Sequence, residues 1–215
     1  MFSQLKKLFR KTEVTYASSR KIQTTAEKHK SQQEESIEKW MSLGPHRKYD
    51  CVKIGNQIED IINQQIHFDE KISRAVNLIY HDLNLNYILL WIIERDYKFL
   101  NAGAGKAIHS VLAHKEKIKL RQNGGLVDRA VYNKKHAIAR DLTLDEDIPI
   151  FNGAPFPDTR SIIALPLFSS ELIIGVMELG STDRFDFRED EIDVFQFLAY
   201  QIAKILITRF SQTET

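Results

Sequence analysis

Two adjacent runs decide the fold of this chain: Asp158-Thr-Arg-Ser-Ile-Ile-Ala-Leu-Pro-Leu-Phe168 and Glu171-Leu-Ile-Ile-Gly-Val-Met-Glu-Leu-Gly180. Both are short and rich in β-branched and aliphatic residues, and a polar turn at Ser169 and Ser170 separates them. This pattern is typical of a β-hairpin that is buried on both faces. We therefore expect most of the remaining chain to cover this hairpin.

The composition is that of an ordinary globular protein, with 43% apolar and 27% charged residues. The longest apolar run, residues 87–93, has the length of a strand and falls far short of the roughly 18 residues that span a bilayer. The first residues lack the apolar stretch and the cleavage site of a secretion signal. Cys51 is the single cysteine, which excludes an intramolecular disulfide and fits a reducing compartment. We expect a cytoplasmic protein.

Charge divides the chain into two parts. Residues 1–48 hold eleven Lys and Arg against five Asp and Glu, whereas residues 49–215 hold nineteen against twenty-four. We interpret residues 1–48 as a basic extension that is helical or partly disordered, residues 49–210 as the folded domain, and residues 211–215 as a tail. Within the extension, residues 1–11 have the pattern of a short basic amphipathic helix, which would contact a membrane surface or a partner chain.

Apolar periodicity and turn residues give the element order of the domain. Helices are predicted at residues 49–66, 68–83, 106–117, 125–132 and 189–210. Strands are predicted at residues 87–94, 97–102 and 136–140 in addition to the hairpin, with a break at the glycines 103–105. Pro166 is expected at a bulge or an edge, where a strand needs no N–H donor. Strands joined by tight turns, with helices at both ends, indicate an α+β fold with an antiparallel sheet.

Several segments of the domain together resemble the GAF domain family. They are Gly-Gly-Leu-Val-Asp-Arg-Ala-Val (124–131), His-Ala-Ile-Ala-Arg-Asp (136–141), Thr-Arg-Ser-Ile-Ile-Ala-Leu-Pro-Leu (159–167), Ile-Gly-Val-Met-Glu-Leu-Gly-Ser-Thr (174–182) and Phe-Asp-Phe-Arg-Glu-Asp-Glu (185–191). The resemblance covers about residues 50–208. It implies a GAF/PAS-like, six-stranded antiparallel sheet with the terminal helices on one face and a ligand pocket on the other. It also implies a sensory or regulatory role, commonly in a homodimer.

The known ligand classes of such domains can be compared with the residues present. Covalent bilin attachment needs a cysteine near the pocket, whereas Cys51 lies in the first helix. The methionine sulfoxide reductases of this fold use several cysteines, and one thiol does not complete their exchange cycle. Gly180 and the two residues after it stand where members that bind cyclic nucleotides have an Asn-Lys pair. His109 and His114 are five residues apart, not the four that place two ligands on one helix face, so we predict no metal site.

The resemblance nevertheless implies which side chains surround a pocket. The predicted ligand-binding residues are Trp91, Phe99, His109, Asn123, Phe151, Phe156, Arg160, Ser161 and Met177. Arg160 is the candidate for an anionic group because its planar fork pairs with carboxylate or phosphate. An equally weighted alternative is that Arg160 bonds to its own loop at Asp158 or Asp141.

Two functional hypotheses follow. The first is a non-catalytic sensor that binds a small molecule of unknown identity and signals to a separate partner protein through its terminal helices. The second is a ligand-free, dimeric interaction module whose basic arm recruits a partner or a membrane surface. A homodimer is expected in both cases, no nucleic-acid partner is expected, and residues 1–48 are the expected contact with an effector. An enzyme with an unrecognised site is a third, less favoured alternative.

Overall fold

The computed structural model describes residues 46–93, 99–107, 117–122, 124–143, 158–184 and 186–212. Its helices are α1 (His46–Asn63), α2 (Phe68–Asp82), α3 (Leu126–Asn133) and α4 (Ile192–Gln212), and a 3-10 helix (Glu189–Glu191) leads into α4. Its strands are β1 (Tyr87–Ile93), β2 (Phe99–Ala107), β3 (Lys117–Lys119), β4 (Ala137–Ala139), β5 (Ser161–Ser169) and β6 (Leu172–Ser181). The predicted sites His109, Asn123, Phe151 and Phe156 and the predicted extension up to residue 45 lie outside these ranges.

The strands form one sheet of six in the order β3-β2-β1-β6-β5-β4, and each neighbouring pair is antiparallel. The predicted α+β class with an antiparallel sheet is therefore confirmed. β6 lies inside the sheet between β1 and β5. The β5–β6 hairpin turns through Ser170 and Glu171, and Ser170 adopts the left-handed region with φ 53°.

Side chains on the two faces of the sheet belong to two separate apolar clusters. The larger cluster joins the sheet to α1, α2 and α4, and its fully buried members include Ile54, Ile58, Ile79, Leu90, Ile163, Leu165, Met177, Leu179, Phe195, Leu198 and Ile202. The smaller cluster lies on the opposite face, which we call the second face, and α3 packs on it. The sheet members of the second-face cluster are Tyr87, Leu89, Trp91, Ala139, Ile162, Ala164 and Val176.

Four of the five predicted helices match the structure to within a few residues at their ends. Residues 108–116 of the fifth, predicted at 106–117, lie outside the described ranges. α1 begins at His46, three residues before the predicted start, and directly follows Gly44-Pro45 in the sequence. The predicted final helix is divided into the 3-10 turn and α4.

The second strand is longer than predicted. β2 continues through the glycines at 103–105 to Ala107, so the predicted break at these glycines and the predicted start of a helix at residue 106 are wrong. The register with β1 shifts between Leu89 and Trp91, which pair with Gly105 and Ala102 respectively. Pairing with a buried neighbouring strand therefore outweighs the local preference of glycine for a turn, and a bulge in β2 absorbs the one extra residue.

The structure shows where Pro166 lies in β5. β4 pairs with residues 162–164 of β5, so Pro166 lies beyond the segment that pairs with β4 and one residue before a register shift at Leu167.

Arg188 precedes the 3-10 helix without capping it by a side-chain bond, but its guanidinium donates twice to Asp190, with distances of 2.8 and 2.9 Å. A bidentate pair of this kind orients the turn.

The start of α1 is fastened to the segment that leads into α4. Arg47 donates to both carboxylate oxygens of Asp186, at 2.5 and 3.1 Å, and to the carbonyl oxygen of Asp186 at 2.6 Å. The same guanidinium lies over the rings of Phe187 and Phe195, 5.6 and 5.3 Å from their centroids. Because these partners are partly buried, this junction holds the two terminal helices, α1 and α4, together more firmly than an exposed ion pair would.

Replacing Gly175 by alanine is expected to cost about 1–3 kcal/mol of unfolding free energy, the usual range for overpacking a core. A Cβ at Gly175 would lie 2.4 Å from the carbonyl oxygen of Trp91, and that backbone atom is held by the strand pairing. Urea unfolding of Gly175→Ala measures this loss.

Gly55→Ala in α1 is the matched comparison, and we expect it to cost less than Gly175→Ala. The Cβ at Gly55 would meet the edge of the Phe197 ring at 2.0 Å, but Phe197 is half-buried and its ring can turn aside. The substitution also gains about 0.8–1 kcal/mol in helix propensity. An equal or larger loss for Gly55→Ala would contradict the assignment of the rigid contact to Gly175.

Candidate functional site

A buried carboxylate lies in the middle of the apolar second face. Glu178 of β6 is 5% exposed and lies on the same face of the strand as the buried residues Val176 and Gly180. The Tyr87 hydroxyl donates to Oε1 of Glu178 at 2.5 Å, and the Trp91 indole Nε1 donates to Oε2 at 2.8 Å. Both donors come from β1, four residues apart and on the same face, because side chains alternate along a strand. We call these three residues the carboxylate cluster.

The electrostatics of the carboxylate cluster are governed by burial. Loss of water raises the pKa of the Glu178 carboxyl, and the bonds from Tyr87 and Trp91 oppose this only in part. Burial and the neighbouring Glu178 carboxylate together raise the pKa of the Tyr87 hydroxyl well above its ordinary value. Tyr87 therefore acts as a neutral donor, and Glu178 is a carboxyl group whose charge is costly to keep away from water.

A glycine makes room for this arrangement. Gly180 pairs with Tyr87 across the β1–β6 ladder, and a Cβ at Gly180 would lie 2.0 Å from Cε1 of the Tyr87 ring. Because Tyr87 is 2% exposed, its ring has no free space into which to retreat. Gly180 thus sets the position of the hydroxyl that binds Glu178.

The second face is covered by α3 and by the loop before it. Leu126, Val127, Ala130 and Val131 of α3 are buried in the second-face cluster together with Leu120. Asp128 of α3 accepts a hydrogen bond from the backbone N–H of Arg121 at 2.9 Å, and its carboxylate leaves no space for a side chain at Gly124. Burial raises the pKa of Asp128, while the N–H groups of Arg121 and Gly125 act in the opposite direction.

The structure separates the predicted site residues that it describes. Trp91 lies on the second face as a donor to Glu178, whereas Met177 belongs to the cluster on the helix side of the sheet. Ser161 is fully buried, and its hydroxyl donates to the carbonyl oxygen of Asp183 at 2.7 Å. It is two residues before Ile163 in β5 and so lies on the helix side of the sheet. Phe99 lies at the start of β2. The predicted pocket set is therefore divided between the two sides of the sheet.

Arg160 lies at the end of the sheet where β5 begins. Its Nη1 donates to the carbonyl oxygen of Thr159 at 3.2 Å, which is a bond to its own loop. Asp141, one of the carboxylates weighed as a partner for Arg160, instead accepts from the backbone N–H and hydroxyl of Thr143 and lies 3.5 Å from Nε of Arg184. The role of Arg160 in holding an anionic group stays a prediction.

Sequence reasoning missed Tyr87 and Glu178. The signal for Glu178 was an acidic residue inside the otherwise apolar run Gly175-Val-Met-Glu-Leu-Gly180. In a strand buried on both faces such a residue needs a partner, because burying an unpaired carboxylate is expensive. The sequence does not identify that partner, because Tyr87 and Glu178 are 91 residues apart.

The cysteine lies on the other side of the sheet. Cys51 of α1 is fully buried in the helix-side cluster, and burial raises the pKa of its thiol to about 12. The carboxylate of Glu191 is also buried there, and its Oε2 has no hydrogen-bond partner within the part of the chain that the structure describes. Burial raises the pKa of Glu191, which the charge of Arg47 opposes.

No group of three or more His, Cys, Asp or Glu side chains within the described ranges is arranged to hold a metal ion. None of the helices found there has the length and apolar character that crossing a bilayer requires.

We expect Glu178→Gln to remove a dependence of stability on pH. Because the folded pKa of Glu178 lies above its ordinary value of 4.5, the folded state binds this proton more tightly than the unfolded state. Its contribution to stability is fully present below about pH 4.5 and is lost as the pH rises through the folded pKa. Urea unfolding from pH 4 to 8 should show this fall in the parent protein and a flatter profile in Glu178→Gln.

The comparison for this prediction is Glu178→Leu. Glutamine can accept from Trp91 and donate to the Tyr87 oxygen, whereas leucine removes the acceptor that both donors use. We expect Glu178→Leu to lose about 1–3 kcal/mol of unfolding free energy for each of the two buried hydrogen bonds that it removes. A parent pH profile as flat as that of Glu178→Gln would show that Glu178 does not titrate as described.

Gly180→Ala is expected to displace the Tyr87 ring and to destabilise the domain by about 1–3 kcal/mol, as overpacking does. Tyr87→Phe keeps the ring and removes the hydroxyl, so it separates the steric effect from the lost hydrogen bond. Near-ultraviolet circular dichroism reports the environment of the aromatic rings, among them Tyr87 and Trp91. An unchanged spectrum and stability in Gly180→Ala would show that the ring does not depend on Gly180.

Solved structures with the same fold are found at low sequence identity. The GAF domain of a phosphoenolpyruvate-protein phosphotransferase from Coxiella burnetii superposes with a TM-score of 0.68 and 15% identity, covering 78% of this chain and 99% of that chain. The free methionine-R-sulfoxide reductase of Neisseria meningitidis, in complex with its substrate, superposes with a TM-score of 0.61 and 17% identity, covering 72% and 87%. The reduced form of the corresponding Staphylococcus aureus protein superposes with a TM-score of 0.59 and 18% identity, covering 73% of this chain and 94% of that chain. No curated protein sequence matches the chain.

These structures correct one prediction. The expectation that the chain is not an enzyme is contradicted, because structures with this fold include free methionine-R-sulfoxide reductases. Since the identities are all below 25%, the likeness shows the fold alone. Membership of the family, in contrast, is shown by sequence: a family model described as a GAF domain matches residues 68–206. The chain therefore belongs to the GAF domain family.

Proposed function

We propose that this GAF domain is a sensory or regulatory module that binds a small molecule at the second face and signals to a separate partner protein through α1 and α4. The observation that carries the proposal is Glu178, a buried carboxylate between two aromatic donors in an otherwise apolar cluster. A buried ionisable group whose pKa is shifted is a candidate for a functional site when a specific geometry surrounds it.

Stability alone is a poor explanation for the carboxylate cluster. An apolar residue at 178, with partners adjusted to match, would avoid the cost of taking a carboxylate out of water, and such replacements are often neutral or stabilising. A carboxylate offers about four lone-pair sites, of which Tyr87 and Trp91 use two. Glu178 can therefore accept further hydrogen bonds from a bound molecule while Tyr87 and Trp91 hold it in place.

The surroundings favour a particular kind of ligand. The second face offers the indole of Trp91 and the apolar side chains of α3, together with one carboxylate. A molecule with an apolar or planar body and an N–H or ammonium group would match these features, because sites of this type combine an apolar lining with a few placed polar groups. The predicted lining residues His109, Asn123, Phe151 and Phe156 remain proposals for the other walls of the site.

A relative supports small-molecule binding by this fold. The Neisseria meningitidis free methionine-R-sulfoxide reductase was solved in complex with its substrate, so in that protein the fold holds a small molecule. The Coxiella burnetii neighbour is a GAF domain of a phosphotransferase, in which it is one part of a larger protein. Together they support a ligand-binding module that works with other protein parts.

β6 offers a direct route from the site to the terminal helices. Glu178 points to the second face, while Met177 and Leu179 on either side of it are buried in the cluster with α1 and α4. Because strand residues alternate between faces and the interior is close-packed, a small displacement of β6 at Glu178 must be taken up by side chains on the helix side. α1 and α4 would then carry the change to a partner.

We propose that the partner contacts lie on the exposed sides of these helices. α1 exposes Tyr49 and Val52, and α4 exposes Tyr200, all large apolar side chains at the surface. Aromatic residues of this kind are enriched at protein interfaces. A second copy of the chain and an effector protein are the proposed occupants, and the basic residues 1–48 are proposed as a further contact with the effector.

Native mass spectrometry of the protein, purified from the cells that produce it, tests the proposal. We expect a non-covalent mass on each subunit of the parent protein and a dimer of subunits. In Glu178→Gln the charged acceptor is replaced by a neutral one, and we expect the affinity for the retained molecule to fall about ten-fold, since hydrogen bonds to charged groups are the stronger class.

Glu191→Gln is the matched control, because it neutralises another buried carboxylate that lies on the helix side of the sheet. It should keep the bound mass. A parent protein without any bound mass, or a Glu178→Gln variant that retains the molecule as fully as Glu191→Gln, would overturn the assignment and favour a ligand-free interaction module.

A further inference from the structure

We propose a second binding site, for carboxylate groups, in a cleft at the β4 edge of the sheet. The cleft has a volume of about 300 Å³ and is lined by Lys135, His136, Ile138, Arg140 and Glu189. We call it the basic cleft. Its volume lies at the lower end of the range of about 300–1,000 Å³ that is usual for small-molecule sites.

The basic cleft is built by a short turn and an edge strand. Lys134 ends α3 in the left-handed conformation, with φ 51°, so the chain reverses at once and Lys135 leads into β4. β4 is the last strand of the sheet, and Ile138 packs against the helix-side cluster. His136, Ile138 and Arg140 follow the period of two along this strand, which places them on one side. The 3-10 helix before α4 supplies Glu189 as the opposite wall.

The protein already places a carboxylate of its own in the basic cleft. Nη2 of Arg140 donates to Oε1 of Glu189 at 2.8 Å, and Nε2 of His136 lies 3.6 Å from Oε2. The Glu189 side chain is 61% exposed and stands on a turn of three residues, so it can leave without unpacking the core. This pair shows that the lining of the cleft can pair with a carboxylate, and Glu189 would compete with a carboxylate ligand.

Charge favours a ligand with two carboxylates. Lys135 and Arg140 supply two positive charges against one negative charge from Glu189, while the neighbouring Asp190 is bound by Arg188 at 2.8 Å. If one carboxylate replaces Glu189 at Arg140, a second can interact with Lys135, which also lines the cleft. The same chemistry is offered by a small dicarboxylate and by an acidic peptide segment. This proposal does not depend on ligand binding at Glu178.

Isothermal titration at fixed ionic strength tests the site, with succinate as one probe and a tri-glutamate peptide with blocked termini as the other. Constant salt matters because screening alone changes the affinity between exposed charges. Glu189→Gln should bind the better probe about two- to five-fold more tightly, since an exposed ion pair worth roughly 0.5–1 kcal/mol no longer competes. Arg140→Gln should bind about three- to ten-fold more weakly, because its fork of donors is lost.

α2 offers a matched control. Arg74 donates to Glu70 at 2.5 Å with both side chains about half exposed, so this is the same pair of residue types on a helix surface. Arg74→Gln and Glu70→Gln should leave the affinity for both probes unchanged. Thermal unfolding of all four variants verifies that each is folded, as expected for substitutions at exposed positions.

The two probes distinguish the sources of the carboxylate. Tighter binding of succinate identifies a small molecule, and tighter binding of the peptide identifies a segment of a protein; either result supports the site if Arg140→Gln weakens it. Absence of binding to Glu189→Gln, or an equal effect of Arg140→Gln and Arg74→Gln, would overturn the proposal.

Discussion

The pairing of β6 with β1 and β5 is the constraint on which the rest of this domain depends. β6 is buried for almost its whole length, so its side chains face one or the other of the two apolar clusters. Met177 and Leu179 fill the cluster beneath α1 and α4, and Val176 fills the one beneath α3. A shift of one residue in the pairing of β6 would move each side chain to the opposite face of the sheet. The apolar pattern of β6 therefore determines its register.

Within that constraint, Glu178 is the one charged group that β6 buries. Its position is stabilised by two donors from β1, and the ring of Tyr87 fits only because Gly180 has no side chain. Burial works against the charge, whereas the two hydrogen bonds work for it, and burial prevails in its effect on the pKa. The second face thus combines an apolar lining with a single carboxyl group whose protonation responds to whatever occupies its surroundings.

The two proposed sites differ in how they depend on water. The carboxylate cluster is buried, so a contact there is strengthened by the low local dielectric and constrained by close packing. The basic cleft is open, and its Arg140–Glu189 pair is half exposed, so its contacts are weaker and exchange more readily. β4, the strand that supplies Arg140, also contributes Ala139 to the second-face cluster and Ile138 to the margin of the helix-side cluster.

The sequence by itself determined the hairpin, the helix stripes and the antiparallel α+β class, because these follow from periodicity and local turn chemistry. The resemblance to the GAF family rested on the residues of five segments between positions 124 and 191. It did not determine the length of β2, whose glycines predict a turn until pairing with β1 overrides them. It identified Trp91 but grouped it with Met177, which the sheet places on the opposite side. The contacts of Tyr87 with Glu178 and of Arg140 with Glu189 were decided by the tertiary structure alone. The first pair is separated by 91 positions in the sequence and the second by 49, so the partners meet only when the strands pair and pack.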